Sequence, residues 1–195
     1  MKLGKIEKWF INRERHAKNV IERAESLLDL IEIKPGQDLL EIGCGGGPVS
    51  MHVSRKYNVK VVGTDVDEEQ IKKAQNIAEG LKNTAFLVAD ATRLPFGDES
   101  FDIILSINVL HHISNWMDAL REITRVLRDG GYLVLSELLF TRWTQSMGRL
   151  YSKQAYGITT LENLDSFIDN NKYSTLHTRL VKSLLWNNLE AVYRK

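Results

Sequence analysis

Residues 39–50 read LLEIGCGGGPVS: an apolar run containing one acid leads into four glycines within five positions and then a proline. The apolar run is typical of a buried strand, and Pro48 suits the first turn of a helix, where its missing N–H costs nothing. Glycines between the two allow positive φ angles and let the backbone approach a ligand closely. The stretch therefore predicts a strand, a ligand-binding turn and a helix, in that order.

Strands and helices alternate around this turn. Short runs rich in Val, Ile, Leu and Phe predict the strands DLLEIG, VKVVGTD, AFLVAD, FDIILSI and GGYLVLSE. Helical spacing of apolar residues predicts helices in PVSMHVSRKY, DEEQIKKAQNIAEGL and NWMDALREITRVLRDGG. Such alternation is typical of an α/β protein with a doubly wound, parallel sheet covered on both faces.

The two ends of the chain add further elements. Apolar residues recur at threes and fours from Lys5 to Ile31, which predicts a helix that LysProGly at 34–36 ends. ThrThrLeuGlu at 159–162 has the spacing of a capping box and predicts a late helix through about Asp169. The segments YSTLHTRLV and NLEAVYRK predict a terminal hairpin whose turn lies at AsnAsn, 187–188.

Composition and charge narrow the class of protein. Apolar residues make up 43% and charged residues 26% of the chain, which is ordinary globular composition. No apolar run approaches the ~18 residues of a membrane span, and the charged N-terminus is unlike a signal peptide, so we expect a cytoplasmic protein. A single cysteine, Cys44, excludes an internal disulfide and a multi-cysteine metal site, and we predict no bound metal.

Positive charge is concentrated at the two ends. Residues 1–25 carry seven Lys/Arg against four Asp/Glu, and residues 141–195 carry eight against four. Solvated helix faces explain this distribution, since no block of five or six like charges occurs. A docking surface for nucleic acid is the alternative.

Three acids at strand ends suggest a ligand. Asp65 ends the second predicted strand about twenty residues after the glycine turn, where a carboxylate can accept hydrogen bonds from both hydroxyls of a ribose. Asp90 ends the third, within reach of an adenine edge, and Glu41 lies in the first. This set suits a ligand with an ammonium group, a ribose and an exocyclic amine. It does not suit a pyrophosphate, whose dinucleotide fingerprint would need glycine in place of Pro48.

Taken together, these motifs resemble the class I S-adenosylmethionine-dependent methyltransferases, and among them the subgroup related to ubiquinone and menaquinone C-methyltransferases. The resemblance covers about residues 36–137, through LLEIGCGGG, GTDVD, ADATRLPFGDESFDIILSINVLHHI and RVLRDGGYLVLSE. It implies a Rossmann-like, mostly parallel seven-stranded sheet with an antiparallel C-terminal hairpin. It also implies S-adenosylmethionine as cofactor and S-adenosylhomocysteine as product.

The resemblance assigns roles to individual residues. Glu41 would lie near the ammonium group of the cofactor, Asp65 would hold the ribose, and Asp90 with Ala91 would hold the adenine. The other implied cofactor contacts come from the glycine turn, the residue after Asp65 and the end of the fourth strand: Gly43, Cys44, Gly45, Gly47, Val66, Ser106 and Asn108. Cys44 itself is expected to be a small packing residue rather than a reactive thiol.

Methyl transfer requires few catalytic residues beyond those that bind the cofactor. Methyl transfer from a sulfonium is an in-line displacement, so the main task is to hold the acceptor atom ~3 to 3.5 Å from the methyl carbon. A base is needed only when the acceptor must lose a proton, and His112, followed by His111, is the candidate. The alternative is that these histidines pack or bond to the backbone.

One domain is expected to span residues 1–195, because no Pro-rich or Ser-rich linker divides the chain. Residues 1–35 would form an N-terminal helical cap, residues 36–140 the cofactor-binding core, and residues 141–195 the acceptor-pocket segment, late helix and terminal hairpin. The side chains expected at the acceptor are Trp9, Phe10, Trp143, Met147, Tyr151 and Tyr156, together with His16. The alternative is that the aromatic residues among them pack in the core or between helices.

The first functional hypothesis is methylation of a small, aromatic or acidic molecule rather than of nucleic acid. One alternative is an RNA or protein methyltransferase that docks through the basic ends. Another is a protein that binds S-adenosylmethionine without catalysis. The oligomeric state is left open by the sequence.

Overall fold

The computed structural model describes residues 14–140, 161–182 and 186–195. Its helices and strands, in chain order, are α1 Glu14–Leu28, β1 Asp38–Ile42, α2 Pro48–Tyr57, β2 Lys60–Asp65, α3 Glu68–Ile77, β3 Thr84–Val88, β4 Phe101–Ile107, α4 Trp116–Val126, β5 Leu127–Phe140, α5 Leu161–Asn170, β6 Ser174–Lys182 and β7 Trp186–Arg194. A short 3₁₀ turn, Leu110–His112, lies between β4 and α4. None of the described helices is long and apolar enough to cross a membrane.

The strands form one seven-stranded sheet in the order β3-β2-β1-β4-β5-β7-β6. Strands β1 to β5 pair in parallel, whereas β7 runs antiparallel to both β5 and β6. The predicted fold class, a doubly wound and mostly parallel sheet with an antiparallel C-terminal hairpin, is therefore confirmed. Strand order reverses between β1 and β4, and ligands of such sheets bind at the carboxyl edge beside that reversal.

Alternation of side chains along the central strands separates the core into two layers. One layer packs α1 and α2 against one face of the sheet through Ala24, Leu27, Leu39, Val49, Val53, Ile103 and Val134. The other layer packs α4 and α5 against the opposite face through Leu40, Ile104, Leu120, Ile123, Leu135, Leu164 and Phe167. Both faces of β1 and β4 are thus buried, which explains why these strands are apolar almost throughout.

Two helix starts fix the edge of the sheet where the acids lie. Helix α2 begins at Pro48, directly after Gly47, which has a φ of 78° that glycine adopts without strain. Helix α3 is capped by Asp67, whose side chain accepts a hydrogen bond of 3.0 Å from the N–H of Glu69. Both starts follow a strand end within a few residues, so little chain separates each strand from its helix.

The structure corrects several boundaries. The helix predicted over residues 115–131 ends at Val126, because Leu127 already pairs with Phe101 as the first residue of β5. The helix predicted over residues 67–81 ends at Ile77.

Helix α1 ends at Leu28 rather than Ile31, while its predicted start lies outside the described residues. The AsnAsn turn is wrong, because Asn187 pairs with Lys182 and Asn188 with Val181 inside the hairpin. Each asparagine is accommodated as an ordinary ladder residue of β7, so the connection falls between Lys182 and Trp186. The first two residues of the predicted capping box, 159–160, lie outside the described residues.

Candidate active site

A cavity of about 730 Å³ opens at the carboxyl edge of the sheet, beside the reversal between β1 and β4. Glu41, Asp65 and Asp90 all line it, although they come from three different strand ends. Helix α1 contributes His16, and β5 contributes Leu138 from the other side. The volume is that of a pocket for a small ligand, and the three predicted acids share it.

The glycine loop, residues 43–47, is held close to two neighbouring elements. A Cβ on Gly43, whose φ is 70°, would overlap the side chain of Val109. A Cβ on Gly47 would lie 2.5 Å from Cζ of Phe86. Gly43 and Gly45 line the cavity, whereas Gly47 faces Phe86 and does not. The loop therefore needs glycine at position 47 for packing and at position 43 for close approach.

Asp65 ties the glycine loop to the end of β2. Its Oδ2 accepts a hydrogen bond of 2.9 Å from the N–H of Gly45, and its Oδ1 accepts one of 2.9 Å from the N–H of Asp67. Burial raises the pKa of Asp65, although these backbone bonds oppose the shift. Each oxygen has further lone pairs, so the carboxylate can still accept bonds from two hydroxyls of a ligand.

Glu41 is a buried carboxyl on the cavity wall, with 4% of its surface exposed. The hydroxyl of Ser50 donates a short hydrogen bond to its Oε2. Burial raises the pKa of Glu41 to about 7, with a smaller contribution from the negative charge of Asp65. A cation placed beside Glu41 would favour the ionised form, as expected for a partner of an ammonium group.

Asp90 and its neighbours also line the cavity. Asp90 is exposed, and its Oδ1 accepts hydrogen bonds of 2.8 Å from both the N–H and the hydroxyl of Thr92. This arrangement is that of a turn-forming aspartate, so Asp90 has a structural role as well as a place on the wall. Ala91 and Val66, the other residues predicted here, also line the cavity.

Two residues predicted to contact the cofactor have clear packing roles. Ser106 is fully buried and does not line the cavity, because its hydroxyl donates a 3.2 Å hydrogen bond to Glu137 on the neighbouring strand. Cys44 does line the cavity, and its N–H donates a 2.9 Å hydrogen bond to the carbonyl of Thr64. Burial raises the pKa of the Cys44 thiol well above its ordinary value, which agrees with an unreactive packing residue.

The loop after β4, residues 108–112, forms another part of the cavity wall. Asn108 has a left-handed φ of 57°, and its N–H donates a 2.7 Å hydrogen bond to the carbonyl of Ser136. Its buried Oδ1 lacks a hydrogen-bond partner among the described residues. His111 and His112 both line the cavity, with ring centroids 4.0 Å apart. An orphaned amide oxygen on the wall is a feature that a bound donor would satisfy.

Sequence reasoning missed two side chains of this site. Glu137, buried in β5, lies beneath the 108–112 loop, with its Oε2 3.1 Å from Nδ1 of His111. Gln70 of α3 lines the cavity, is 4% exposed, and has an Oε1 without a hydrogen-bond partner among the described residues. Glu137 could have been found, because it is a further acid near the end of an apolar strand; Gln70 follows no motif.

The N-terminal helix contributes one titratable group to the wall. His16 lies there beside Ala17 and Val20. Partial burial lowers the pKa of His16, and the positive charge of Arg23 lowers it further, so the imidazole is mostly neutral at pH 7. The other side chains expected at the acceptor lie outside the described residues: Trp9, Phe10, Trp143, Met147, Tyr151 and Tyr156. The described residues hold no group of three or more acids, histidines and cysteines placed to bind a metal.

Comparison with known proteins shows which proteins this chain is similar to. Residues 40–135 match a family model described as a methyltransferase domain. The chain is 33% identical over 118 residues to 27-O-demethylrifamycin SV methyltransferase of Amycolatopsis mediterranei, covering 59% of this chain and 43% of that protein. It is 36% identical over 107 residues to ajmaline N-methyltransferase of Rauvolfia serpentina, covering 53% of this chain and 36% of that one. The chain thus spans less than half the length of these two curated relatives.

The fold extends beyond the matched region. The solved structure of geranyl diphosphate methyltransferase in complex with S-adenosylmethionine superposes with a TM-score of 0.76 at 15% identity, over 94% of this chain and 91% of that one. A likeness at this identity concerns the fold. The fold of the chain is therefore that of this solved methyltransferase, and residues 40–135 are similar to a methyltransferase domain.

Proposed function

We propose that the chain is an S-adenosylmethionine-dependent methyltransferase that methylates a small-molecule acceptor. The observation that carries the proposal is that Glu41, Asp65 and Asp90 line one cavity together with the glycine loop. Three carboxylates at successive strand ends match the ammonium, ribose and adenine of this cofactor. Both curated relatives described above are methyltransferases of small molecules by name, which supports the same reading.

The described residues fit the cofactor. Glu41 is buried beside the glycine loop, where it can pair with an ammonium group, and Asp65 keeps lone pairs for ribose hydroxyls. The orphaned Oδ1 of Asn108 offers a further acceptor. When bound, S-adenosylmethionine supplies the activated methyl group. The task of the chain is then to hold the acceptor in line and to keep water out.

The acceptor occupies the half of the cavity bounded by α1 and the 108–112 loop. Val20, Ile113 and Leu138 give this wall an apolar character, and His16 and His112 add polar groups. Such a mixture suits a mostly apolar molecule with a few polar substituents, aromatic or acidic in nature. His112, or His111 beside it, takes the proton when the acceptor atom must lose one.

An RNA or protein acceptor is the second candidate, favoured by the excess of Lys and Arg in residues 1–25 and 141–195. Binding of such an acceptor would weaken steeply with salt, because phosphate or carboxylate contacts release counterions. A protein that binds the cofactor without turnover is the third. It would yield bound S-adenosylmethionine that no acceptor converts to product.

The same proposal divides the chain into a cofactor-binding segment and two acceptor-binding segments. Residues 36–140 bind the cofactor, while residues 1–35 and 141–195 form the acceptor side of a single domain. His16, Ala17 and Val20 of α1 on the cavity wall support the first of these two acceptor segments. The subgroup we propose is that of the ubiquinone and menaquinone C-methyltransferases, on the strength of GTDVD and VLHHI. The compartment we propose is the cytoplasm, which cell fractionation would test.

Two measurements test the function. Calorimetry should show binding of S-adenosylmethionine and S-adenosylhomocysteine but not of NAD, since the glycine loop offers no phosphate site and three strand-end carboxylates line the cavity. Binding of NAD alone would overturn the proposal. Incubation of the enzyme with methyl-labelled cofactor and cell extract should then place label in small organic-soluble material. Label that disappears from the large fraction on nuclease or protease digestion would instead support the macromolecular alternative.

A further inference from the structure

Glu137 is a carboxylate enclosed by hydrogen-bond donors beneath the 108–112 loop. Its side chain is fully buried, and its Oε1 accepts bonds from the hydroxyl of Ser106 at 3.2 Å and from the N–H groups of Val109 at 2.9 Å and Leu110 at 3.0 Å. Its Oε2 lies 3.1 Å from Nδ1 of His111. One side chain of β5 thus holds four groups of the loop and of the strand end that precedes it.

Support of the two loop N–H groups alone would need only a neutral acceptor, such as the amide oxygen of a glutamine. Desolvating a carboxylate costs several kcal/mol even after relaxation, and apolar side chains of similar volume often replace buried charges without loss of stability. The buried positions two residues to either side on β5, Leu135 and Leu139, are apolar and almost fully enclosed. A carboxylate at position 137 is therefore explained best by what it does to the groups that it contacts.

The contact with His111 fixes the tautomer of that ring. An ionised carboxylate only accepts hydrogen bonds, so an Nδ1 that faces such a carboxylate at 3.1 Å must be the donor of the pair. In the neutral imidazole, Nε2 is then the nitrogen that carries the lone pair. His111 lines the cavity and its ring centroid lies 4.0 Å from that of His112, so the ring held in this way belongs to the proposed acceptor side of the site.

We infer that Glu137 is a positioning residue for methyl transfer: it holds His111 as the Nδ1-protonated tautomer and fixes the 108–112 loop against the acceptor. The inference rests on the proposed function for its catalytic meaning. The tautomer of His111 and its dependence on Glu137 can be tested without any cofactor. A base oriented by a carboxylate is a recurring arrangement when a histidine must accept a proton.

Imidazole nitrogen shifts test the inference directly. The full chain is labelled with ¹⁵N-histidine, and the His111 signals are identified by their loss in His111→Gln. We expect the unmodified protein to show a protonated Nδ1 and an unprotonated Nε2. A proton on Nε2 in the neutral ring would overturn the inference without need of any Glu137 variant.

The variant Glu137→Gln then tests whether Glu137 determines which nitrogen of His111 is protonated. Its amide oxygen can keep the backbone N–H groups of the loop, but its NH₂ group would face Nδ1 of His111, so the proton should move to Nε2. Glu190→Gln is the matched control, because Glu190 is a glutamate of the adjacent strand β7 that pairs with Arg23 and Arg179 at 3.7 Å. It should leave the His111 spectrum unchanged. The same change in both variants, or in neither, would contradict the inference.

Cofactor affinity distinguishes a local effect of Glu137 on His111 from a general disruption of the cavity. Titration with S-adenosylhomocysteine should give less than a threefold change for Glu137→Gln, since Glu137 contacts the loop and not the three acids. A loss as large as that of an Asp65 variant would show that Glu137 supports the whole cavity, and would overturn the inference. Failure of the unmodified protein to bind S-adenosylhomocysteine would overturn the proposed function instead, and would leave the tautomer result standing.

Discussion

The half of the cavity that we propose for the cofactor and the half that we propose for the acceptor are built in different ways. The cofactor half is assembled from short, successive strand-to-helix connections, and its central tie joins Gly45 to Asp65, twenty positions apart. The acceptor half joins elements that are distant in sequence, such as Ser106 and Glu137, 31 positions apart, and adds His16 from α1. The residues of the first half therefore follow one another in recognisable sequence motifs. The residues of the second half are brought together only by the pairing of distant strands.

The halves meet at one close contact. Gly43 of the glycine loop packs against the side chain of Val109 in the 108–112 loop, with no room for a Cβ. The position of the glycine loop is thus coupled to the position of the 108–112 loop. Substitutions can be chosen to damage one half, the contact between the halves, or single polar groups of the cofactor half.

The largest effect is expected from Asp65→Ala, which removes the central carboxylate of the cofactor half. We expect S-adenosylhomocysteine to bind about 30-fold to 1000-fold more weakly, roughly 2 to 4 kcal/mol, because charge-assisted bonds to two hydroxyls are lost. The bond to the N–H of Gly45 is lost as well, which loosens the glycine loop. Calorimetry measures the affinity, and circular dichroism checks the fold. Unchanged affinity with a native spectrum would place the ribose elsewhere.

Gly43→Ala should disturb both halves at once. A side chain at a φ of 70° costs about 1 kcal/mol, and overlap with Val109 adds about 1 to 3 kcal/mol. Urea unfolding should show the combined loss of stability. Adding Val109→Ala should recover the overlap part of the loss and leave the backbone part, so the two substitutions should be non-additive. Strict additivity would mean that the halves are not coupled at this contact.

Glu41 gives the cofactor half a dependence on pH. Its pKa of about 7 lies above the ordinary value of 4.5, so between these values the folded protein binds one proton more than the unfolded chain. The free energy of unfolding of the unliganded protein should therefore fall as the pH rises through this range. Affinity for S-adenosylhomocysteine should rise roughly tenfold between pH 6 and pH 7.5, because the ammonium group pairs with the ionised form.

Glu41→Gln is the control for that pH dependence. The variant keeps the shape of the side chain but cannot ionise, so both slopes should flatten in the same range. Persistence of an equally steep rise in affinity would assign the dependence to another group, such as Asp65, whose pKa burial also raises.

The contrast between the halves also explains what the sequence could reveal. The fold and the places of Glu41, Asp65 and Asp90 were predicted because the period of the apolar residues marks each strand and each acid follows in the motif. The hairpin was predicted as well, but not its turn, since asparagine favours turns and is also accepted in a ladder when strand pairing extends past it.

Side chains that act across the sheet could not be assigned in this way. Ser106 was expected beside the cofactor because of its place in the chain, yet its hydroxyl faces Glu137 on the neighbouring strand. The partnership of Glu137 with His111 depends on the register between β4 and β5, in which Ser106 pairs with Leu135. A single sequence carries the two residues but not that register.

Gln70→Met is the smallest change that we predict, and it tests whether an orphaned amide in the cofactor half serves a ligand. The Oε1 of Gln70 is buried on the cavity wall without a partner among the described residues, which destabilises the unliganded protein. Methionine of similar length should therefore raise its stability by about 1 kcal/mol. If a hydroxyl or amino group of the cofactor donates to Oε1, the same substitution should weaken S-adenosylhomocysteine binding about fivefold, roughly 1 kcal/mol. Gln75→Met on the same helix is the matched control, because the Nε2 of Gln75 already donates a 3.0 Å bond to the carbonyl of Phe86. It should lower stability slightly and leave affinity unchanged.

Gain of stability without loss of affinity in Gln70→Met would show that the amide of Gln70 faces the cavity but does not contact the ligand.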